Sequence, residues 1–225
     1  MKAMGTLYLV RHGQASFGAD NYDQLSPLGQ RQCRRLGDYF RAKGRHFSAA
    51  ITGTLVRQTQ SLDEIAAGLG VAQDALRLPG LNEYDSAAVI AAIHPQPLAK
   101  PDTPELYRHH FRLLRAGLSS WMAGSTQPAG MPRYADFVAG VAGALDHVRQ
   151  HCDGDVLMVS SGGPISTAVG QVLGTTPEMT VELNMRIRNS AVTEFVFNPK
   201  RHMLLSYNGL PHLDDEGHAD WVTYT

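Results

Sequence analysis

Arg11, His12 and Gly13 set a guanidinium, an imidazole and a residue without a Cβ side by side, directly after the apolar run Leu7-Tyr8-Leu9-Val10. An unprotonated imidazole nitrogen can attack phosphorus, and a neighbouring guanidinium can fork onto two phosphate oxygens. Gly13 lets the backbone turn sharply and come close to a ligand. Three further stretches carry groups that could join them. Arg57 offers a second guanidinium, Glu83 a carboxyl able to give and take a proton, and Ser160-Ser161-Gly162-Gly163 a run of backbone N–H groups suited to an anion. Taken singly, each has an ordinary reading: a turn with a surface histidine, a solvated arginine, a loop carboxylate, a plain strand-to-helix turn. Their order along the chain gives them weight.

The elements that must position these groups alternate between strand and helix. Thr6 to Val10 has the composition of a strand covered on both faces. Ser26-Pro27 is a helix-opening pair, and Cys33, Leu36 and Phe40 follow at helical spacing until Gly44. Ser48 to Thr52 reads as a second strand. A helix from near Thr54 then carries Leu55, Leu62, Ile65 and Leu69 on one face. Arg57 falls in its first turn, where the helix dipole adds to its charge. Leu76-Arg77-Leu78 is a short third strand leading to Glu83. Thr103-Pro104-Glu105 opens a helix striped by Leu106, Leu113, Leu114, Leu118 and Trp121, and Gly124 to Pro132 is a loop. Phe137, Val141, Leu145 and Val148 make the next stripe. Asp155 to Ser160 is a buried strand, and Gly162-Gly163-Pro164 enters a helix. Ala191 to Phe197 and Met203 to Tyr207 form a closing pair of strands. No repeat or linker splits the chain, so residues 1–225 are expected to form one α/β domain with a helical insertion at about residues 84–132. In such folds ligands bind beyond the carboxyl ends of the strands, where all four chemical stretches fall.

Bulk composition narrows the function classes. Twenty basic and 21 acidic residues are interspersed, giving a formal net charge of −1, so no long-range field draws nucleic acid or an anionic membrane. Anion recognition must then be local. No apolar run reaches the roughly 18 residues that span a bilayer, and Met1 to Val10 lacks a signal-peptide layout, which predicts a soluble cytoplasmic protein. Cys33 and Cys152 form no CxxC pair and read as packing residues in a reducing compartment. His109-His110 reads as a partly solvated helix face. His212 and His218, beside Asp214-Asp215-Glu216, read as a polar terminal loop rather than metal ligands, since no tetrahedral spacing supports zinc. Arg31, Arg34 and Arg35 read as the solvated side of the first helix, and Met179 to Met185 as packing. The composition specifies no oligomeric state.

Jointly, the ordered motifs resemble the histidine phosphatase superfamily, also known as the phosphoglycerate mutase-like family. The likeness runs along nearly the whole chain. It comprises Leu9-Val10-Arg11-His12-Gly13, Leu25-Ser26-Pro27-Leu28-Gly29-Gln30, Leu55-Val56-Arg57-Gln58-Thr59 and Leu81-Asn82-Glu83. Val159-Ser160-Ser161-Gly162-Gly163, Asn189-Ser190 and His212-Leu213 complete it. The resemblance implies a three-layer α/β/α sandwich with a mostly parallel central sheet. It implies that His12 takes the phosphoryl group as a phosphohistidine, that Arg11 and Arg57 hold that group, and that Glu83 is the general acid and base. Gly13, Ser161 and Gly162 would line the phosphate site. No metal or other cofactor is expected, because arginines supply the charge that magnesium would bring.

The sequence departs from that family where a second histidine usually stands, at Ser161. A serine can donate one hydrogen bond but brings no positive charge. Loss of one preorganised donor costs about 10²- to 10³-fold in turnover, so Ser161→His is expected to raise the rate. Gly18 and Gly53 stand where the family more often has Asn and Ser. Three functions follow: a phosphomonoester hydrolase, a non-catalytic protein that binds a phosphorylated ligand in the same pocket, and a phosphoglycerate-type mutase. The hydrolase is favoured because the nucleophile, both arginines and the acid are all retained.

Overall fold

Aliphatic and aromatic side chains alternate along the two central strands, so each strand feeds two separate cores. The computed structural model describes residues 4–16, 23–72, 74–98 and 102–224. Gly18, residues 1–3 of the amino-terminal segment and residues 99–101 of the expected insertion lie outside them. A six-stranded sheet has the order β3-β2-β4-β1-β5-β6, with β1 (Gly5–Arg11), β2 (Ala49–Thr52), β3 (Ala75–Arg77), β4 (Val156–Ser160), β5 (Val192–Asn198) and β6 (Arg201–Gly209). The first four strands run parallel, while β5 is antiparallel to β1 and β6 to β5.

On one face of the sheet, Tyr8, Val10, Leu157 and Val159 pack against Cys33, Leu36 and Phe40 of α1 (Pro27–Ala42) and Leu62 and Ile65 of α2 (Val56–Leu69). On the other, Leu7, Leu9, Val156 and Met158 meet Val141, Leu145 and Val148 of α5 (Tyr134–His151) and Ile165 and Val169 of α6 (Gly162–Leu173). The period-two alternation of a strand therefore builds the expected three layers. A third cluster joins Val89 and Ile90 of α3 (Ser86–Ala91), Leu114, Leu118 and Trp121 of α4 (Pro104–Met122), and Val181 of α7 (Pro177–Arg186).

Helix starts follow side-chain capping. Ser26 accepts from the Gly29 N–H, Thr103 from the Leu106 N–H and Thr176 from the Met179 N–H. The stretch Met179 to Met185, read as packing, lies within α7; its opening Thr176-Pro177-Glu178 repeats the signal of Thr103-Pro104-Glu105. The third strand falls one residue earlier than expected and is an edge strand with Leu76 exposed. His212 is not part of a solvated terminal loop: it is 2% exposed, with Nε2 2.9 Å from Ser190 Oγ. His218 pairs with Asp215. Arg34 pairs with Glu64, and Arg35 reaches the His212 carbonyl and Asp215, tying α1 to α2 and to the carboxyl-terminal region. Both cysteines are buried and unbridged. No described helix is long and apolar enough to cross a membrane.

Candidate active site

Parallel register delivers the strand ends together. Arg11 is opposite Ser160, the His12 N–H donates to the Ser160 carbonyl (2.9 Å), and the Gly53 N–H to the Val159 carbonyl (3.3 Å). The residues after β1, β2 and β4 therefore emerge side by side. His12 is 2% exposed, Arg57 7% and Arg11 9%, so these charges meet in a site largely closed to bulk water.

The imidazole is held in one tautomer. Its Nδ1 lies 2.7 Å from the Gly13 carbonyl, which can only accept, so Nδ1 carries the proton. Nε2 keeps its lone pair and accepts from Arg57 Nε at 3.3 Å. Burial, then Arg11, then Arg57 push the His12 pKa well below 6.5, overriding the opposing pull of the Gly13 carbonyl. A neutral ring with an available lone pair is the form a nucleophile needs.

Arg57 is fixed by a residue absent from the sequence reading. Asp23 Oδ1 accepts from Arg57 Nη1 at 2.8 Å, while its two oxygens also take the N–H groups of Val56 (2.9 Å) and Arg57 (3.3 Å). Asp23 thus caps the start of α2 from a distant loop and aims the guanidinium on the same helix. Arg11 is held by the carbonyls of Ile187 and Tyr224, both through Nη1, at 2.6 and 2.8 Å. The His12 carbonyl accepts from the side chain of Asn189 and the N–H of Ser190.

Glu83 follows a short 3-10 turn at Pro79–Leu81 and is drawn to the start of α6, where the Gly163 N–H donates to both carboxyl oxygens (3.0 and 3.2 Å). One N–H of the expected anion cradle, that of Gly163, is therefore taken by a carboxyl group of the chain itself. A Cβ at position 163 would lie 2.2 Å from Glu83 Oε1, so glycine is needed for this approach. Burial raises the Glu83 pKa above 4.5 despite the opposing effects of the Gly163 N–H and the two arginines. His12, Glu83, Arg11 and Arg57 are therefore electrostatically coupled members of one cluster.

Gly13 holds the ring with its carbonyl and gives its N–H to Ser61 Oγ at 3.0 Å. Gly162 packs close to Asn184 and Ile187, where a Cβ would meet Asn184 Oδ1 at 2.7 Å. Ser161 is fully buried, and its Oγ accepts from Gln58 Nε2 at 2.8 Å. The same nitrogen donates to the Leu81 carbonyl (2.8 Å), and Gln58 Oε1 faces the Leu55 N–H at 3.4 Å. A Cβ at position 53 would lie 1.9 Å from that oxygen. Gly53, Gln58 and Ser161 are thus one interlocking group, with a neutral carboxamide packed between two small residues. Asp23 carried no local sequence signal, since it acts on residues of another element, and Gln58, although part of the Leu55–Thr59 motif, makes its shortest hydrogen bonds to Leu81 and Ser161 of other elements. Among the described residues no group of three or more His, Cys, Asp or Glu could hold a metal ion.

The model of the histidine phosphatase superfamily (branch 1) matches residues 7–209. No curated protein sequence matches the chain. Among solved structures, the fold is similar to an Entamoeba histolytica phosphoserine phosphatase mutant in complex with phosphoserine, at 19% identity and TM-score 0.65, covering 93% of this chain and 99% of that one. YhfR from Bacillus stearothermophilus is similar at 17% identity and TM-score 0.67, over 92% and 98%. A mycobacterial glucosyl-3-phosphoglycerate phosphatase is similar at 17% identity and TM-score 0.64, over 92% and 100%. From the first strand of the sheet to the last, the chain belongs to branch 1 of the histidine phosphatase superfamily.

Proposed function

We propose that the protein is a phosphomonoester hydrolase that works through a phosphohistidine on His12. The observation that carries this reading is the fixed tautomer: Nδ1 is tied to the Gly13 carbonyl, and the Nε2 lone pair is turned toward the Arg57 guanidinium. The incoming phosphoryl group takes the place between ring and guanidinium. Nε2 attacks phosphorus while the P–O ester bond breaks, and the leaving alkoxide takes the proton of Glu83. Water then attacks the phosphohistidine, the Glu83 carboxylate accepts its proton, and the P–N bond electrons return to Nε2. Arg57 and Arg11 stabilise the charge on the transferring oxygens, the main task in phosphoryl transfer. The solved relatives support the reaction class: one is described as a phosphoserine phosphatase in complex with phosphoserine and another as a glucosyl-3-phosphoglycerate phosphatase. The substrate is accordingly a phosphorylated small molecule, and the stretch at about residues 84–132, which holds α3 and α4, serves as the lid over it.

One observation favours a second reading, a protein that binds phosphorylated ligands without turning them over. The Ser161–Gln58 pair places no positive charge at the fourth strand end. Phosphate release from a panel of phosphomonoesters, measured for wild type and His12→Ala, separates the two. The hydrolase predicts release by wild type and none above background for the variant. If neither releases phosphate while both bind phosphate-bearing ligands, the binding protein is the correct reading.

A further inference from the structure

The backbone that clamps Arg11 also forms one wall of a second feature. Arg186, next to Ile187 in the chain, and Tyr224 line a groove of about 500 Å3, whose opposite wall is a face of α4 bearing Tyr107, Phe111, Arg112 and Arg115. This size lies within the roughly 300–1,000 Å3 of small-ligand sites. The Tyr107 and Phe111 rings lie 4.6 Å apart between centroids, tilted 46° to each other, and give the groove an aromatic wall. Arg115 is paired with Glu182, but among the described residues neither Arg112 nor Arg186 has a carboxylate partner. No acidic residue is among those lining the groove. In a chain of net charge −1, two such guanidiniums facing one aromatic groove make a local positive site, complementary to an anion attached to a planar group.

Building on the phosphatase reading, we propose that this groove is the leaving-group subsite, and that it selects small phosphomonoesters whose alcohol part carries a planar ring and a second anionic group, as in a nucleoside bisphosphate. The ring lies against Tyr107 and Phe111, and Arg112 and Arg186 bind the second anion. The Tyr224 carbonyl that holds Arg11 belongs to a residue lining the groove, and the Ile187 carbonyl to the residue after Arg186, which places the groove next to the guanidinium of the phosphoryl site.

The test compares three esters on the full chain: adenosine 3′,5′-bisphosphate (ring and second anion), 4-nitrophenyl phosphate (ring alone) and 3-phosphoglycerate (second anion alone). Wild type is expected to have its highest kcat/KM on the bisphosphate. Arg112→Gln and Arg186→Gln should each raise KM for the bisphosphate about 10- to 100-fold, the value of a charge-assisted contact, and by at least tenfold more than for 4-nitrophenyl phosphate. Losses equal across the three esters, or no loss at all, overturn the proposal. A calorimetric titration of adenosine 3′,5′-bisphosphate into His12→Ala, with and without Arg112→Gln, keeps the two readings apart. Without turnover of any ester, binding weakened by Arg112→Gln leaves the groove standing and removes the phosphatase; binding no tighter than that of inorganic phosphate removes the groove.

Discussion

Installing a histidine at position 161 is the most direct perturbation of the site, and the structure predicts that it fails alone and succeeds in company. Ser161 is fully buried, and its hydroxyl meets the Gln58 carboxamide at 2.8 Å. An imidazole there would have to displace that carboxamide. Retreat is blocked on one side, because Gln58 Oε1 already sits where a Cβ of residue 53 would be. Overpacking of this kind costs about 1–3 kcal/mol. Ser161→His should therefore lower the unfolding free energy by that amount and leave kcat on 4-nitrophenyl phosphate no higher than wild type, contrary to the simple expectation from the missing charge. Gln58→Ala makes the space. It removes three hydrogen bonds worth about 0.5–1.5 kcal/mol each, the one from the Leu55 N–H being long, but leaves the Leu81 carbonyl with a donor, since Ser160 Oγ also reaches it at 2.8 Å. Gln58→Ala with Ser161→His should then raise kcat about 10²-fold over Gln58→Ala alone, the value of one preorganised donor at a developing charge. Urea denaturation and steady-state phosphate release measure the two quantities. A tenfold or greater gain from Ser161→His alone, with stability intact, would refute the idea that Gln58 occupies this space.

Two other outcomes follow from the same coordinates. Asp23→Ala removes the acceptor of two α2 N–H groups and the partner of Arg57, so stability should fall by about 1–2 kcal/mol and kcat/KM should fall as the guanidinium loses its aim; full retention of kcat/KM would show that Asp23 does not position Arg57. Stability should also depend on buried neutral histidines: burial, Arg35 and His218 lower the His212 pKa to about 3, and burial with Arg11 and Arg57 lowers that of His12. Because these folded-state values lie below the unfolded 6.5, their contribution is complete above pH 6.5 and is lost as pH falls below it, by up to about 1.4 kcal/mol per pH unit for each histidine. Glu83, raised above 4.5, acts in the opposite sense, favouring the folded state below pH 4.5 and losing that contribution as pH rises through its folded value. Urea denaturation between pH 7 and 5 should give a shallower slope for His212→Gln than for wild type, and an unchanged slope would contradict the buried neutral state of this ring.

What could be read from the sequence was whatever a single element expresses by itself. The unbroken apolar runs of β1 and β4, the Ser26 and Thr103 starts of α1 and α4, and the placing of His12, Arg57 and Glu83 after successive strands all follow from local composition and chain order. The helix α7 was not read: it carries the opening pair Thr176-Pro177, but its two buried residues, Thr180 and Val181, make too narrow an apolar stripe to announce it. His212 escaped because its burial depends on Ser190, a residue 22 positions earlier in the chain. The same holds for Asp23 and Gln58, whose partners are 34 and 103 positions away. Pairwise placement across elements has no period for a sequence pattern to show.

The clamp on Arg11 joins distant parts of the sequence, since one of its carbonyl partners lies 176 residues downstream and the other 213. During synthesis the imidazole therefore leaves the ribosome long before the groups that orient the cation beside it exist. A chain interrupted before residue 187 carries the reactive ring without either carbonyl that steers this cation, so competence waits until residues 187 and 224 have folded back onto β1.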